Sequence, residues 1–173
     1  MAAGTAADPA AELARDLFER YHQEIYAYLW RMVRDQQSAE DLAQQTFLNA
    51  LSARRQLPRV RNHRAWLYRI ATNLALNALK RGRRFAWLPW QTAERRSAVA
   101  DGAFDRFGGP SAVEAALAAI RPALRAPLLL HAHHGLSVSE IAEALKLSEG
   151  AVRMRLCRAR RAFRQAYEKE SAP

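Results

Sequence analysis

Several things are scarce in this chain. Its 173 residues include one cysteine, Cys157, so no internal disulfide can form and a reducing compartment is expected. Seven glycines and seven prolines are too few for a loop-rich β fold. No apolar stretch approaches the roughly 20 residues that span a bilayer. Met1 to Ala11 lacks the basic start and apolar run of a signal peptide. A soluble, cytoplasmic protein without membrane insertion is therefore expected. Gly-rich phosphate loops, nucleophile–base pairs and metal-ligand motifs are missing too, which argues against catalysis, cofactors and metals.

What is present favours helix. Half the residues are apolar, enough to build a core. Alanine, leucine, arginine and glutamine dominate, and all four are good helix formers. The formal charge of +10 is unevenly spread. Residues 1–50 carry 4 arginines against 8 acids, net −4, and residues 51–100 carry 12 basic groups against Glu94, net +11. Such a division predicts two partners of opposite electrostatic character, the second a polyanion such as nucleic acid or an anionic membrane face.

Periodicity places helices at about Glu12–Arg34, from a capping pattern at Ser38 to about Ser52, and at about 62–81. Beyond Gly82 the pattern stops. Residues 83–111, with Pro89, Gly102, Gly108, Gly109 and Pro110, form a linker too long for a loop inside one small domain. Periodicity resumes over 112–168 in three or four helices. The expected fold is all-α, with small helical domains at 12–82 and 112–168 joined by a flexible linker.

In the second domain, Ser137 to Lys146 reads as a short amphipathic helix capped by Ser137 or Ser139. After the turn at Leu147, Ser148 is a good N-cap for a helix beginning at Glu149. Val152, Leu156, Ala159, Phe163 and Ala166 form its apolar stripe, and six arginines with no acid lie between Gly150 and Gln165. Two short helices and a tight turn, the second basic outside and apolar inside, describe a DNA-binding helix-turn-helix. Ser148, Glu149, Ala151, Val152 and Arg153 would approach base edges. Arg155, Arg158, Arg160, Arg161 and Arg164 would bind phosphate. The stretch Gly135-Leu-Ser-Val-Ser-Glu-Ile-Ala-Glu-Ala-Leu, with Leu147 to Arg160, resembles the −35-binding region of bacterial sigma factors of the extracytoplasmic-function (ECF) group. Ala151 stands where Thr is common there, and Met154 where Ser is common.

In the first domain, the helix after Ser38 turns Ala39, Leu42, Ala43, Thr46, Phe47 and Ala50 inward. Asp41, Gln44 and Leu48 share the opposite arc with Gln45 beside them. On periodicity alone, a leucine on this polar face is either a protein contact or a scattered surface apolar residue. Ala39 to Leu48 resembles the sigma segment that docks on the clamp helices of the large RNA polymerase subunit. The resemblance implies that Asp41, Gln44, Gln45 and Leu48 bind polymerase.

The third helix presents Arg69, Asn73, Asn77 and Lys80 outward, with Trp66 at one edge and Thr72 and Leu76 at the other. Cations, amides and a ring on one face suit opened DNA. Trp66 reads equally well as a core aromatic. Asn62 to Lys80 resembles the sigma segment that melts the −10 element, with Asn77 where Asp is more usual. By the same likeness the loop from about Ser52 to Arg61, with Arg54, Arg55, Arg59 and Arg61, holds an extruded base.

The likeness covers nearly all the folded chain in the family's order. It implies an alternative sigma factor that binds core RNA polymerase and promoter DNA, with an anti-sigma protein as a further partner. Trp87, Leu88 and Trp90 in the linker would pack on polymerase or on that inhibitor. His131, His133 and His134 read as a polar turn rather than a metal site, and Cys157 as a bystander thiol. The rivals are a stand-alone duplex-binding regulator and an RNA-binding or membrane-surface protein. The first gives no role to Asp41, Gln44 and Leu48, and membrane binding would need a lipid-facing apolar stripe that the third helix already uses for its core.

Overall fold

The computed structural model describes residues 8–85 and 111–171, all helix and turn. Helix α1 spans Pro9–Val33 and α2 spans Gln36–Ser52. A 3-10 turn covers Arg54–Arg59 and α3 spans His63–Phe85. The second module contains α4 (Ala112–Ala119), α5 (Pro122–Ala132), α6 (Val138–Leu145) and α7 (Glu149–Glu170). The linker patch at Trp87, Leu88 and Trp90 lies outside the described residues.

Three helix boundaries differ from expectation, two through their caps and one through helix propensity. Helix α1 begins one turn early because Asp8 accepts from the Ala10 N–H at 3.1 Å and Pro9 fills the first helical position. A proline loses nothing there, where its amide would be unpaired anyway. Helix α2 starts at Gln36, not after Ser38: the Asp35 carboxylate accepts from the Ser38 N–H at 2.8 Å, so Ser38 sits inside the first turn. Helix α3 runs through Gly82 to Phe85, where the linker was expected to begin. A mid-helix glycine costs only about 1 kcal/mol relative to alanine, and the arginines flanking Gly82 favour helix.

In the first module, α1, α2 and α3 bury Leu17, Ile25, Leu29, Met32, Leu42, Phe47, Leu67 and Ala71. Leu57 of the 3-10 turn is fully buried, and the His63 ring nitrogen donates to its carbonyl at 2.9 Å. The segment read as an open loop is thus pinned at its middle, leaving Arg55, Arg59 and Arg61 exposed. In the second module Leu117, Leu129, Leu130, Ile141, Val152, Leu156 and Ala159 form the core. Each fully buried aliphatic side chain contributes about 1.5–3 kcal/mol relative to exposure.

The modules also pack on each other, α3 against α6 and α1 against α5. The Arg125 guanidinium of α5 donates to the carbonyls of Met32 in α1 (2.7 Å), Ala118 (2.7 Å) and Ile120 (2.9 Å). Those carbonyls are at or near helix ends, where no in-helix amide serves them, so one cation stitches three of them together. Arg64 of α3 donates to the His134 carbonyl at 2.7 Å and pairs with Glu24 at 3.1 Å. Asn62 donates to Glu140 at 3.2 Å, and Arg34 pairs with Glu114. The His134 ring lies against the rings of Tyr28 and Tyr68, with centroids 5.6 and 5.2 Å away.

Candidate nucleic-acid and protein interfaces

Helix α2 presents the face expected of it. Ala39, Leu42, Thr46, Phe47 and Ala50 are buried, while Asp41, Gln44, Gln45 and Leu48 are exposed. The buried Thr46 hydroxyl donates to the Leu42 carbonyl at 2.7 Å, which lets a polar residue face the core. Gln37 donates to the Asp41 carboxylate at 3.2 Å and Gln45 to Asn49 at 2.9 Å, so this surface is pre-ordered along the helix.

Leu48 is not a scattered apolar residue. It is 49 % exposed and lines a groove of about 410 Å³ between α1 and α2 with Ala14, Arg15, Phe18, Gln44 and Leu51. Phe18 and Leu51 are themselves nearly half exposed. Three of the six exposed large hydrophobic side chains among the described residues therefore meet in one place. Phe18 is held there by stacking on His22 and by an edge contact with Phe47. Sequence reasoning missed Phe18 and Leu51. Phe18 follows the buried Leu17 on a long helix, and only the angle between α1 and α2 brings it beside Leu48.

Helix α3 divides into two halves. Asn73, Asn77 and Lys80 are exposed and Arg69 is half-buried, as expected of an outward face. Trp66 is 8 % exposed and belongs to the core, so it offers no free ring here. Thr72, expected at an edge, is buried: it donates to the Tyr68 carbonyl at 2.7 Å and so accepts the Tyr28 hydroxyl at 2.7 Å. Burial pushes up the pKa of that hydroxyl, and also that of Tyr68, which reaches Glu24 at 3.3 Å. Among the arginines before α3, Arg54 is engaged by Asp8 at 3.1 Å, whereas Arg55 and Arg61 are exposed.

The helix-turn-helix forms as its sequence predicts. Ser137 and Glu140 make a reciprocal capping box at the start of α6, and Lys146 closes that helix in the left-handed region at φ 54°. The Ser137 amide and hydroxyl hold the Glu140 carboxyl below its usual range. Ser148 caps α7 by accepting from the Ala151 N–H at 3.2 Å. Val152, Leu156 and Ala159 are buried, with Phe163 and Ala166 at the margin of the stripe.

One expected base-reading residue is corrected. Val152 is 0 % exposed, buried in the module's core. It is the first member of α7's apolar stripe, and a side chain cannot face both core and groove. Ala151 and Arg155 are half-buried, whereas Glu149, Arg153, Arg158, Arg160, Arg161 and Arg164 are exposed. Arg153 is tied to Glu149 one turn back at 2.7 Å. Two further residues on this arc, Met154 and Cys157, are exposed and were not among the expected contacts.

The histidines at the turn before α6 have structural roles. His131 bonds the Leu136 carbonyl at 2.9 Å and His134 is buried. Burial, with His133, Arg31 and Arg64 nearby, lowers the His134 pKa to about 3. Among the described residues no group of histidine, cysteine or carboxylate side chains has metal-binding geometry, and no helix is long and apolar enough to cross a membrane.

Residues 17–85 match the family model described as Sigma-70 region 2, and residues 111–163 match that described as Sigma-70, region 4. The chain is similar to the RNA polymerase sigma-H factor of Pseudomonas aeruginosa, 32% identical over 86% of this chain and 83% of that one. It is similar to CarQ, an RNA polymerase sigma factor of Myxococcus xanthus, 32% identical over 86% and 85% of the two chains. The ECF RNA polymerase sigma factor SigX of Bacillus subtilis is 27% identical over 88% and 82%. In fold it resembles the sigma factor RpoE solved in complex with the anti-sigma factor NepR from Bartonella quintana. There the TM-score is 0.70 at 20% identity, covering 91% of this chain and 97% of that one. It also resembles CnrH in complex with the cytosolic domain of CnrY, with a TM-score of 0.67 at 23% identity over 94% and 95%.

Proposed function

This chain belongs to the ECF group of RNA polymerase sigma factors, and we propose that it docks on core polymerase through the α1–α2 groove while reading promoters with α3 and α7. It is an alternative sigma factor that directs promoter-specific transcription initiation. Its action is binding rather than catalysis, and its place is with polymerase in the cytoplasm.

The observation that carries the docking reading is the concentration of exposed apolar surface at Phe18, Leu48 and Leu51, rimmed by Asp41, Gln44 and Gln45. An apolar centre with a polar hydrogen-bonding rim is the anatomy of a protein interface. The occupant is an apolar side chain on the clamp helices of the large polymerase subunit, with basic groups beside it for Asp41. For the −10 element, Asn73, Asn77 and Lys80 face outward with Arg69 at their edge, and Arg55 and Arg61 lie exposed before α3. For the −35 element, α7 lies in the major groove. Its later arginines hold phosphate, so affinity falls steeply with salt.

Packed modules cannot read both elements at once. The −10 and −35 positions are about 25 base pairs apart, roughly 85 Å at about 3.4 Å per base pair. Here α3 touches the helix-turn-helix itself through Asn62 and Glu140. Promoter recognition therefore entails separation of the modules. A cleft of about 810 Å³ lies in the second module, lined by Val113, Leu117, Phe163 and Tyr167 among others, with Arg31 of α1 as its contact from the first module. An anti-sigma protein is proposed as the partner that holds this packed state, supported by the fold neighbours solved with such inhibitors.

The test is run-off transcription from fragmented genomic DNA with core polymerase, with and without this protein. New transcripts starting at defined sites, abolished by Asp41→Ala with Gln44→Ala, are expected. A protein that shifts duplex DNA alone and yields no transcript with core would instead be a stand-alone regulator.

A further inference from the structure

Among the described residues, Met154 is the most exposed large hydrophobic side chain, at 56 %. It stands nearly opposite the buried Val152–Leu156–Ala159 stripe, at the centre of α7's outward arc. Gly150, one turn earlier on the same arc, has nothing within 4 Å of where a Cβ would be, so the backbone there is open to close approach. Arg153, Cys157, Arg158 and Arg161 surround Met154 and are all exposed. The surface is thus a basic ring around one apolar, polarisable side chain.

Of the five residues first expected to approach base edges, Val152 is core, Ala151 is half-buried, the Ser148 hydroxyl accepts from the Ala151 amide, and Glu149 and Arg153 are exposed but paired with each other on one flank of the arc. Whatever base edge meets the middle of this face meets Met154. In the major groove every base offers hydrogen-bonding groups, but only thymine adds an apolar one, the C5 methyl. A thioether chain adapts to such a contact and hydrogen-bonds poorly with the alternatives.

We infer that Met154 is a specificity-determining residue of the −35 reader, selecting thymine at one position by packing on its C5 methyl. This rests on the reading of α7 as the −35 helix. Burying one methyl's worth of surface corresponds to a preference of about 4-fold, enough to rank promoters without setting overall affinity.

The experiment uses the full chain with core polymerase on a promoter library randomised through the −35 element. Wild type is expected to favour thymine at one position by about 4-fold. Deoxyuridine there, which lacks only the methyl, should abolish the preference. Met154→Ala and Met154→Ser should flatten that position alone, leave the others and the salt dependence unchanged, and respond equally to thymine and deoxyuridine. Arg153→Ala and Arg158→Ala serve as the control. If they alter the −35 profile while the Met154 variants reproduce the wild-type one, Met154 has no such role. If the arginine variants also leave the profile untouched, the assignment of α7 to the −35 element fails with it.

Discussion

The two helices assigned to promoter DNA stand in opposite states. The outward arc of α7, from Glu149 to Arg164, is exposed except at Ala151 and Arg155. Helix α3 is exposed from its middle onward, at Asn73, Asn77, Lys80 and Arg81. Its first half is engaged by the second module, with Trp66 buried, Arg64 on the His134 carbonyl and Asn62 on Glu140. The difference lies in partners, since both helices are amphipathic and basic. The cap of α3 bonds to Glu140 at the entrance of the helix-turn-helix, whereas α7 presents its apolar stripe to its own module and nothing covers its back among the described residues. The face proposed for the −35 element is open on its own module, whereas the helix proposed for the −10 element has its entrance tied to the other module.

The sharpest way to break this contrast is to make it permanent. A short bis-maleimide bridge between Asn62→Cys and Glu140→Cys, in a Cys157→Ser background, should abolish run-off initiation by more than about 100-fold. The unbridged variant should retain it, since losing the Asn62 cap of α3 and the Glu140 half of the α6 capping box costs about 1 kcal/mol each. Undiminished transcription from the bridged protein would mean that the modules need not part.

Loosening the contact is the next largest perturbation. Arg125→Met leaves the Met32, Ala118 and Ile120 carbonyls without their donor, at a cost of about 3 kcal/mol in thermal or denaturant unfolding. Small-angle scattering should also record a more extended molecule, while the modules' separate helical content persists. An unchanged radius of gyration would place the hold elsewhere.

Acid offers the gentlest test. His134 is packed neutral against Tyr28 and Tyr68, with His133, Arg31 and Arg64 as the nearby cationic groups, and its pKa is lowered to about 3. In a separated or unfolded chain it titrates near the ordinary histidine value of 6.5. Between those values the released state binds more protons. The packed state therefore holds its full stability above pH 6.5 and loses up to about 1.4 kcal/mol per pH unit as pH falls toward 3. Labels on the two modules should report separation in that window, and His134→Phe should remove most of the pH dependence. Glu140 works in the same direction: its carboxyl is held low by Ser137, so the α6 cap is lost as pH falls through its folded value.

Much of this was legible in the chain because the signals are local. The stripes of α2 and α7 and the Ser148 cap are set within a few turns of one helix, and the charge division is read by counting along the chain. Local reading failed where two chemically suitable readings competed. Asp35 took the capping role assigned to Ser38, accepting from Ser38's own amide, and Trp66, open to both core and DNA, went to the core. Val152 was assigned to both faces, though a helix allows each side chain only one.

The sequence by itself determined an all-helical chain of two modules, the second a helix-turn-helix, with Asp41, Gln44 and Leu48 on one face and a basic arc on α7. Periodicity, capping and charge are properties of neighbouring residues, so they need no fold to be read. Only the tertiary structure decided that Phe18 joins Leu48 and Leu51 in a groove, that Val152 is wholly buried while Met154 is the most exposed large hydrophobic side chain among the described residues, and that Arg125 binds the Met32 carbonyl across 93 positions of sequence. Those facts depend on the angles at which helices cross and on which backbone carbonyls are left without partners at their ends. Both are set by packing between segments distant in the chain.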